Sequence, residues 1–212
     1  MKLLKCLLAI VGLGAATASA QISVELEAPE RFYLPGEAVL INVKITNFSG
    51  QTIEVATTPD WIQFTVEAVG GYVVNRLAEI SAPGKFEVEN GFVATRKINI
   101  GPAFDLSRPG RYTVSCGIFI TSYGKPVYAR PIPLEVLSMT PMWERNFGVP
   151  NAESESGGIV ARRYSLIQIT RNDKPYIYVS TSEVGTGRLL STIPLTRVVG
   201  FGEPQKMLDG SN

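Results

Sequence analysis

Apolar and polar residues alternate with period two along most of this chain, the mark of strands that bury one face. Ile22, Val24 and Leu26 alternate with Ser23, Glu25 and Glu27, and a turn through Pro35-Gly36 follows. Over residues 38–47 the pattern repeats, with Val39, Ile41, Val43 and Ile45 inward and Asn42, Lys44 and Thr46 outward. Asn47-Phe48-Ser49-Gly50 closes that strand with turn chemistry. Ile53 and Val55 mark a further strand, and Ile62, Phe64, Val66 and Ala68 share one parity. Gly70-Gly71 reads as a two-residue hairpin into residues 72–76. Phe86 and Val88 mark a short segment, followed by residues 92–100. Beyond Pro109-Gly110, the residues Tyr112, Val114, Cys116, Ile118 and Ile120 fall on one face. Tyr123-Gly124 reverses the chain into residues 127–136, where Pro131 and Pro133 cannot donate to a ladder and so place the strand at a sheet edge.

Seven or eight short strands with turns between them predict an all-β fold, a two-sheet sandwich over residues 21–138. After Val136 the composition changes. Residues 139–150 hold Trp143 and two prolines, and residues 151–158 are polar and turn-rich, so 139–160 reads as a connector. Within residues 161–212, three segments at 163–170, 176–181 and 188–193 predict a small β-meander with turns at 171–174 and 182–187. Such a meander has too little apolar surface to stand alone and should pack on the sandwich or on sequence beyond this chain. Asp209-Gly210 near the end of the sequence has the form of a hairpin turn awaiting a return strand.

The first twenty residues differ from all of this. Lys2 and Lys5 precede an apolar and small run from Cys6 to Ala16, and Ala18-Ser19-Ala20 forms a cleavage site before Gln21. Residues 1–20 therefore read as a secretory signal peptide cut between Ala20 and Gln21. The run is shorter than the roughly 20 apolar residues of a spanning helix, so the mature protein is expected to be secreted or periplasmic, without a transmembrane segment. Cys6 opens the apolar run rather than following the cleavage site, which gives a lipid anchor no support.

The twenty Lys and Arg residues, less Lys2 and Lys5, meet nineteen Asp and Glu, leaving a net charge near −1 and no electrostatic reason to expect nucleic acid as a partner. Histidine is absent, which removes His-dependent triads, His-ligated zinc and every imidazole acid or base. With Cys6 cleaved away, Cys116 is the one remaining thiol; no intramolecular disulfide can form, and its parity assigns it to the core.

Candidate chemistry is thin. Glu87 and Glu89 lie two apart on a predicted strand, about 6–7 Å from each other, but Phe86 and Val88 take the inward parity and leave the two acids on a solvated face. Glu153 and Glu155 sit in a stretch too flexible to hold catalytic geometry. Gly185-Thr186-Gly187 reads as a turn, not a phosphate cradle. Asn47-Phe48-Ser49 matches the N-glycosylation acceptor pattern. No catalytic residue, cofactor site or metal site is expected. Trp61 is opposite in parity to Ile62, Phe64 and Val66, which offers it to solvent as a partner contact; a place in the core or at the end of the sandwich is the competing assignment. Trp143 should pin the connector, and Tyr176 with Tyr178 should pack on the sandwich.

Leu106-Ser107-Arg108-Pro109-Gly110-Arg111-Tyr112-Thr113-Val114 resembles the corner entering the penultimate strand of immunoglobulin-like domains, where a tyrosine hydroxyl returns to nearby backbone; Tyr112 is the matching residue. Arg108 replaces the usual Asp of that corner, and the antibody cysteine pair is missing, so the resemblance implies an Ig-like sandwich of another type. Thr58-Pro59-Asp60-Trp61, Phe104-Asp105-Leu106 with Pro109-Gly110, and Met142-Trp143-Glu144 with Phe147-Gly148-Val149-Pro150 resemble uncharacterised secreted bacterial proteins that join an Ig-like domain to a C-terminal meander. Tyr33-Leu34-Pro35-Gly36-Glu37 is faintly similar to bacterial proteinase-inhibitor and macroglobulin-type sandwiches. These resemblances imply architecture and export only; the β-rich exported pattern and the lack of a catalytic cluster point to an exported, non-catalytic structural or partner-binding module, with a protein or glycan of the envelope or extracellular space as partner and Trp61, Tyr123 and Lys125 as contacts. Two alternatives stand beside it. One is a proteinase inhibitor presenting the Tyr123-Gly124-Lys125 hairpin or residues 151–158; the other is a carboxylate-based hydrolase of envelope glycans.

Overall fold

The computed structural model describes residues 21–150 and 158–198. The signal-peptide reading with Ala20, the acids Glu153 and Glu155, and the Asp209-Gly210 turn lie outside the described residues, as does all but the last residue of the 151–158 stretch. The described chain is all-β. Its strands are β1 (Gln21–Glu27), β2 (Phe32–Tyr33), β3 (Leu40–Phe48), β4 (Ile53–Val55), β5 (Ile62–Ala68), β6 (Phe86–Val88), β7 (Val93–Asn99), β8 (Gly110–Ile120), β9 (Lys125–Tyr128), β10 (Ile132–Val136), β11 (Pro141–Pro150), β12 (Ile159–Arg171), β13 (Lys174–Glu183) and β14 (Leu189–Arg197). No helix among the described residues is long and apolar enough to cross a membrane.

One sheet has the order β1-β3-β7 and a second the order β2-β10-β8-β5, with β9 continuing along β8 beyond β10. A two-stranded pair, β4-β6, lies beside them. The alternation explains why the two larger sheets face each other in a sandwich-like arrangement. Ile41, Val43 and Ile45 of β3 and Tyr112, Val114, Cys116, Ile118 and Ile120 of β8 all enter one buried cluster, joined by Ile22, Val24, Phe64 and Val66. Burying each such aliphatic side chain is worth about 1.5–3 kcal/mol.

Three sequence expectations need correction in this region. Gly70-Gly71 makes no hairpin: Gly71 N–H donates to the carbonyl of Ala68, and residues 72–75 form no strand, because Tyr72 turns in to pack edge-on against Tyr112. β10 is flanked by β2 as well as β8, although β2 reaches only Glu135 and Val136 and leaves the stretch with Pro131 and Pro133 open on that side. Asn47, the glycosylation acceptor by pattern, is fully buried; its amide donates to the carbonyls of Gln51 and Val88, and its side-chain oxygen accepts from Ser49 N–H. It is a turn-forming structural residue.

The C-terminal sheet runs β11-β12-β13-β14, all antiparallel and in chain order. Residues 141–150, read from sequence as connector, are its first strand. The Asn172-Asp173 turn between β12 and β13 has positive φ at both residues, the conformation that a two-residue hairpin demands.

This sheet is fastened to the sandwich-like unit by the pentapeptide Tyr33-Leu34-Pro35-Gly36-Glu37. Leu34 is 1% exposed and packs with Ile167 and Tyr178. Thr192 donates its N–H to the carbonyl of Gly36 and its hydroxyl to that of Pro35. Gly36 has φ +73°, and a Cβ there would strike the Leu189 side chain at 2.7 Å, so both backbone and space call for glycine. Arg171 completes the joint. Its guanidinium donates to both Glu37 carboxylate oxygens, at 3.0 and 2.9 Å, and to the carbonyl of Phe32 at 3.0 Å, and lies 5.4 Å from the Tyr178 ring centre. Burial opposes the charge of Arg171, but the Glu37 pairing outweighs it and raises the pKa.

Candidate functional site

Two clefts open on this framework. The first lies on the outward face of β5, β8 and β9. In-register pairing sets Gln63 opposite Gly117 and Thr65 opposite Ser115, and on the other side of β8 sets Gly117 against Tyr128 and Phe119 against Pro126. The outcome is a groove of about 440 Å³ whose lining includes Asp60, Gln63, Thr65 and Ser115 beside Phe119 and Tyr128. Gly117 creates the room: a Cβ there would meet the Tyr128 ring at 2.9 Å. Tyr128 is 74% exposed and Phe119 41%. What distinguishes these two rings is that they adjoin one groove with polar side chains around it, the setting in which exposed apolar surface marks a contact site.

The second cleft, of about 610 Å³, separates the two units. Pro35, Leu77, Asp105 and Ser107 form one wall; Glu144, Arg163, Ser165, Ser180 and Ser182 belong to the sheet opposite. Asp105 and Ser107 sit in the corner before β8, whose Tyr112 hydroxyl donates to the carbonyl of Arg108 at 2.5 Å, as the sequence resemblance implied.

The structure disperses the contacts expected from sequence. Trp61 is 2% exposed, packed edge-on against Phe86 at 5.8 Å, so the surface-anchor assignment is corrected to the core. The parity argument fails because Trp61 precedes β5 in the turn from Thr58; Trp61 and Ile62 are both buried in succession. Trp61 still borders the first groove, and its carbonyl accepts from Phe119 N–H. Tyr123 is half-buried against the core, and Lys125 is exposed with its ammonium 5.0 Å from the Tyr123 ring centre; neither lines a cleft. Between them Gly124, at φ +69°, closes a tight turn by donating to the carbonyls of Ile120 and Thr121.

Glu87 is exposed and faces Glu54 across β4-β6, with Lys85 paired to Glu54; Glu89 falls beyond the end of β6. The two acids expected on one strand face thus share no strand and border neither cleft. Cys116 is buried, and burial pushes its thiol up to about 12, which keeps it protonated and unreactive. Gly185-Thr186-Gly187 is a turn, with Gly187 N–H donating to the carbonyl of Glu183. Tyr178 packs under Leu34, with Tyr176 at the edge of the same cluster, as expected.

Sequence reading missed Phe119 and Tyr128. Their signal was present: Phe119 interrupts the apolar parity of β8 at an outward position, beside a glycine on the same parity. No protein-family model matches the chain, and no curated protein matches it.

Proposed function

We propose that this is an exported, non-catalytic partner-binding module: an Ig-like sandwich followed by a β-meander, with the groove on β5, β8 and β9 as its contact surface. The order β1-β3-β7 against β2-β10-β8-β5, and the Tyr112 corner, support the Ig-like assignment. The signal-peptide pattern of residues 1–20 supports export. The observation that carries the binding reading is the exposed Tyr128 ring over Gly117, with Phe119 adjoining and Gln63, Thr65 and Ser115 beneath. Aromatic faces beside short polar side chains suit a glycan or protein partner, where rings stack and amides or hydroxyls orient.

Probing an envelope-glycan array and envelope proteins with the native protein and with Tyr128→Ala and Phe119→Ala tests this. The reading expects a bound partner, and at least a tenfold loss on removing either ring, with the fold intact by circular dichroism. A partner held equally well by both variants would displace the contact surface from this groove. The proteinase-inhibitor alternative has weaker geometric support, because the Tyr123-Gly124-Lys125 segment is a closed turn rather than an extended loop.

A further inference from the structure

The inward face of the C-terminal sheet is arranged in rows that differ in chemistry. The row that docks on the other unit is apolar: Ile167 and Tyr178 are opposite each other under Leu34. The next row, read across all four strands by register, is Glu144, Ser165, Ser180 and Thr192. Ser165, Ser180 and Thr192 are buried at 8%, 4% and 2% exposure. Beyond it Arg163 lies opposite Asn146 on one side and Ser182 on the other. A sheet face that covers another unit gains stability from apolar residues, so a polar row buried at its centre calls for a use.

Thr192 has one: it holds the joint. Glu144, Ser165, Ser180, Ser182 and Arg163 instead line the open cleft. The Ser165 hydroxyl donates to Glu144 at 2.9 Å, and Arg163 donates from Nε to Asn146 at 3.4 Å. Glu144 and Arg163 are diagonal neighbours, at positions about 7–8 Å apart on a sheet, yet the ion pairs among the described residues do not include the two together. Each is steadied by a neutral neighbour while its charge faces the cleft. Asp105 and Arg188 also line the space, but the Arg188 guanidinium is already held by Glu183, so the charges set toward a ligand are Glu144 and Asp105 with Arg163. Acids beside a base disfavour a polyanion and favour a ligand carrying both charges.

We propose that this cleft binds a whole zwitterionic peptide of about dipeptide length, its carboxylate taken by Arg163 with the hydroxyl of Ser182 and its ammonium by Glu144. The guanidinium fork matches a carboxylate in two parallel bonds, and clefts between units are common ligand sites. This proposal is independent of the groove on β5, β8 and β9, so either can fail alone.

Calorimetric titration of the protein with glycylglycine, N-acetylglycine and glycinamide tests it. The dipeptide should bind at least tenfold tighter than N-acetylglycine, which lacks the ammonium, and glycinamide, which lacks the carboxylate. Arg163→Gln and Glu144→Gln should each remove that advantage. Absence of dipeptide binding at millimolar concentration, equal binding of either analogue, or full binding by both cleft variants would overturn the proposal. The three-ligand comparison on the native protein decides it even if a variant fails to fold.

Discussion

The sandwich-like unit and the C-terminal sheet use the same strand chemistry but bury different things. In the first, β3 and β8 contribute an unbroken run of aliphatic and aromatic side chains to one core. In the second, long strands pair in ladders broken only by bulges in β11-β12 and β13-β14, yet the apolar cluster beneath them is Leu34, Ile167 and Tyr178, and Leu34 is borrowed from the first unit. Ladder hydrogen bonds alone replace bonds to water and give little net stability, so a sheet without its own core depends on what it docks against. That dependence also frees its inward face to carry serines, Glu144 and Arg163. The comparison makes the first unit the source of stability and the joint at residues 33–37 the place where it is shared.

The largest expected effect is in the core of the first unit. Trp61→Ala should cost about 3–5 kcal/mol, because the ring fills the strand entry against Phe86 and the surroundings can close only in part. Trp61→Phe should cost less, since the indole N–H is buried without a hydrogen-bond partner and leaves with the substitution. Urea denaturation measures both. A loss near zero for Trp61→Ala would return that residue to the surface and weaken the contrast between the units.

Next comes the joint. Arg171→Met leaves the Glu37 carboxylate, itself 10% exposed at the side chain, without its cation. Breaking such a pair costs about 3 kcal/mol. The loss should fall on the C-terminal sheet, so limited proteolysis should cut within residues 159–197 while the first unit stays intact. Adding Glu37→Gln should recover part of the loss, as coupled partners do. Simultaneous digestion of both units would show that the sheet is not the dependent partner.

How far the fold was legible follows the same division. Strict alternation identified β1, β3, β5 and β8 because one face of each is buried in an apolar core, and Cys116 fell where its parity put it. Where burial is polar or supplied by the other unit, alternation fails. β11 was missed although Trp143, Phe147 and Val149 share a parity, because Arg145 breaks that parity between Trp143 and Phe147 and the terminal prolines mask the signal. Arg171 and Glu37, 134 residues apart, could not be paired by any local pattern. The clefts were hidden for the same reason: Gly117 meets Tyr128 only through sheet register, and Asp105 and Arg163 come to line one cleft only through docking.

A smaller effect tests the dryness of the first core. Cys116→Ser should cost about 1–3 kcal/mol, since it sets an unpartnered hydroxyl among Val114, Ile118 and Phe64. The thiol should resist alkylation until the protein unfolds. Because burial raises its pKa to about 12, the folded state favours the neutral form. Its contribution is complete below the ordinary thiol value of about 8.5 and is lost as pH rises from there toward 12. Alkaline denaturation of the native protein and Cys116→Ala should therefore diverge in that window, and parallel curves would mean that the thiol is hydrated.

The smallest effect comes from an ion pair with the same two side-chain types as the joint. Arg188 donates to Glu183 across the turn between β13 and β14, and the Thr186 hydroxyl donates to the same carboxylate. Arg188 first, then Thr186, holds the Glu183 carboxyl down to about 2. The sign is that of a depressed acid: whatever stability the pair gives is present above the ordinary carboxylate value of about 4.3 and disappears as pH falls toward 2. The pair is open to solvent, with Arg188 68% exposed, so water and salt screen it and the side chains lose freedom in making it. Glu183→Gln should accordingly leave the unfolding midpoint at neutral pH almost unchanged. A carboxylate titration followed by NMR should still place the Glu183 midpoint near 2, and Arg188→Ala should move it most of the way back to the ordinary range. If Glu183→Gln destabilised the protein as much as Arg171→Met, burial would not be what separates the two Arg–Glu pairs, and the joint would lose its special place in the stability of this molecule.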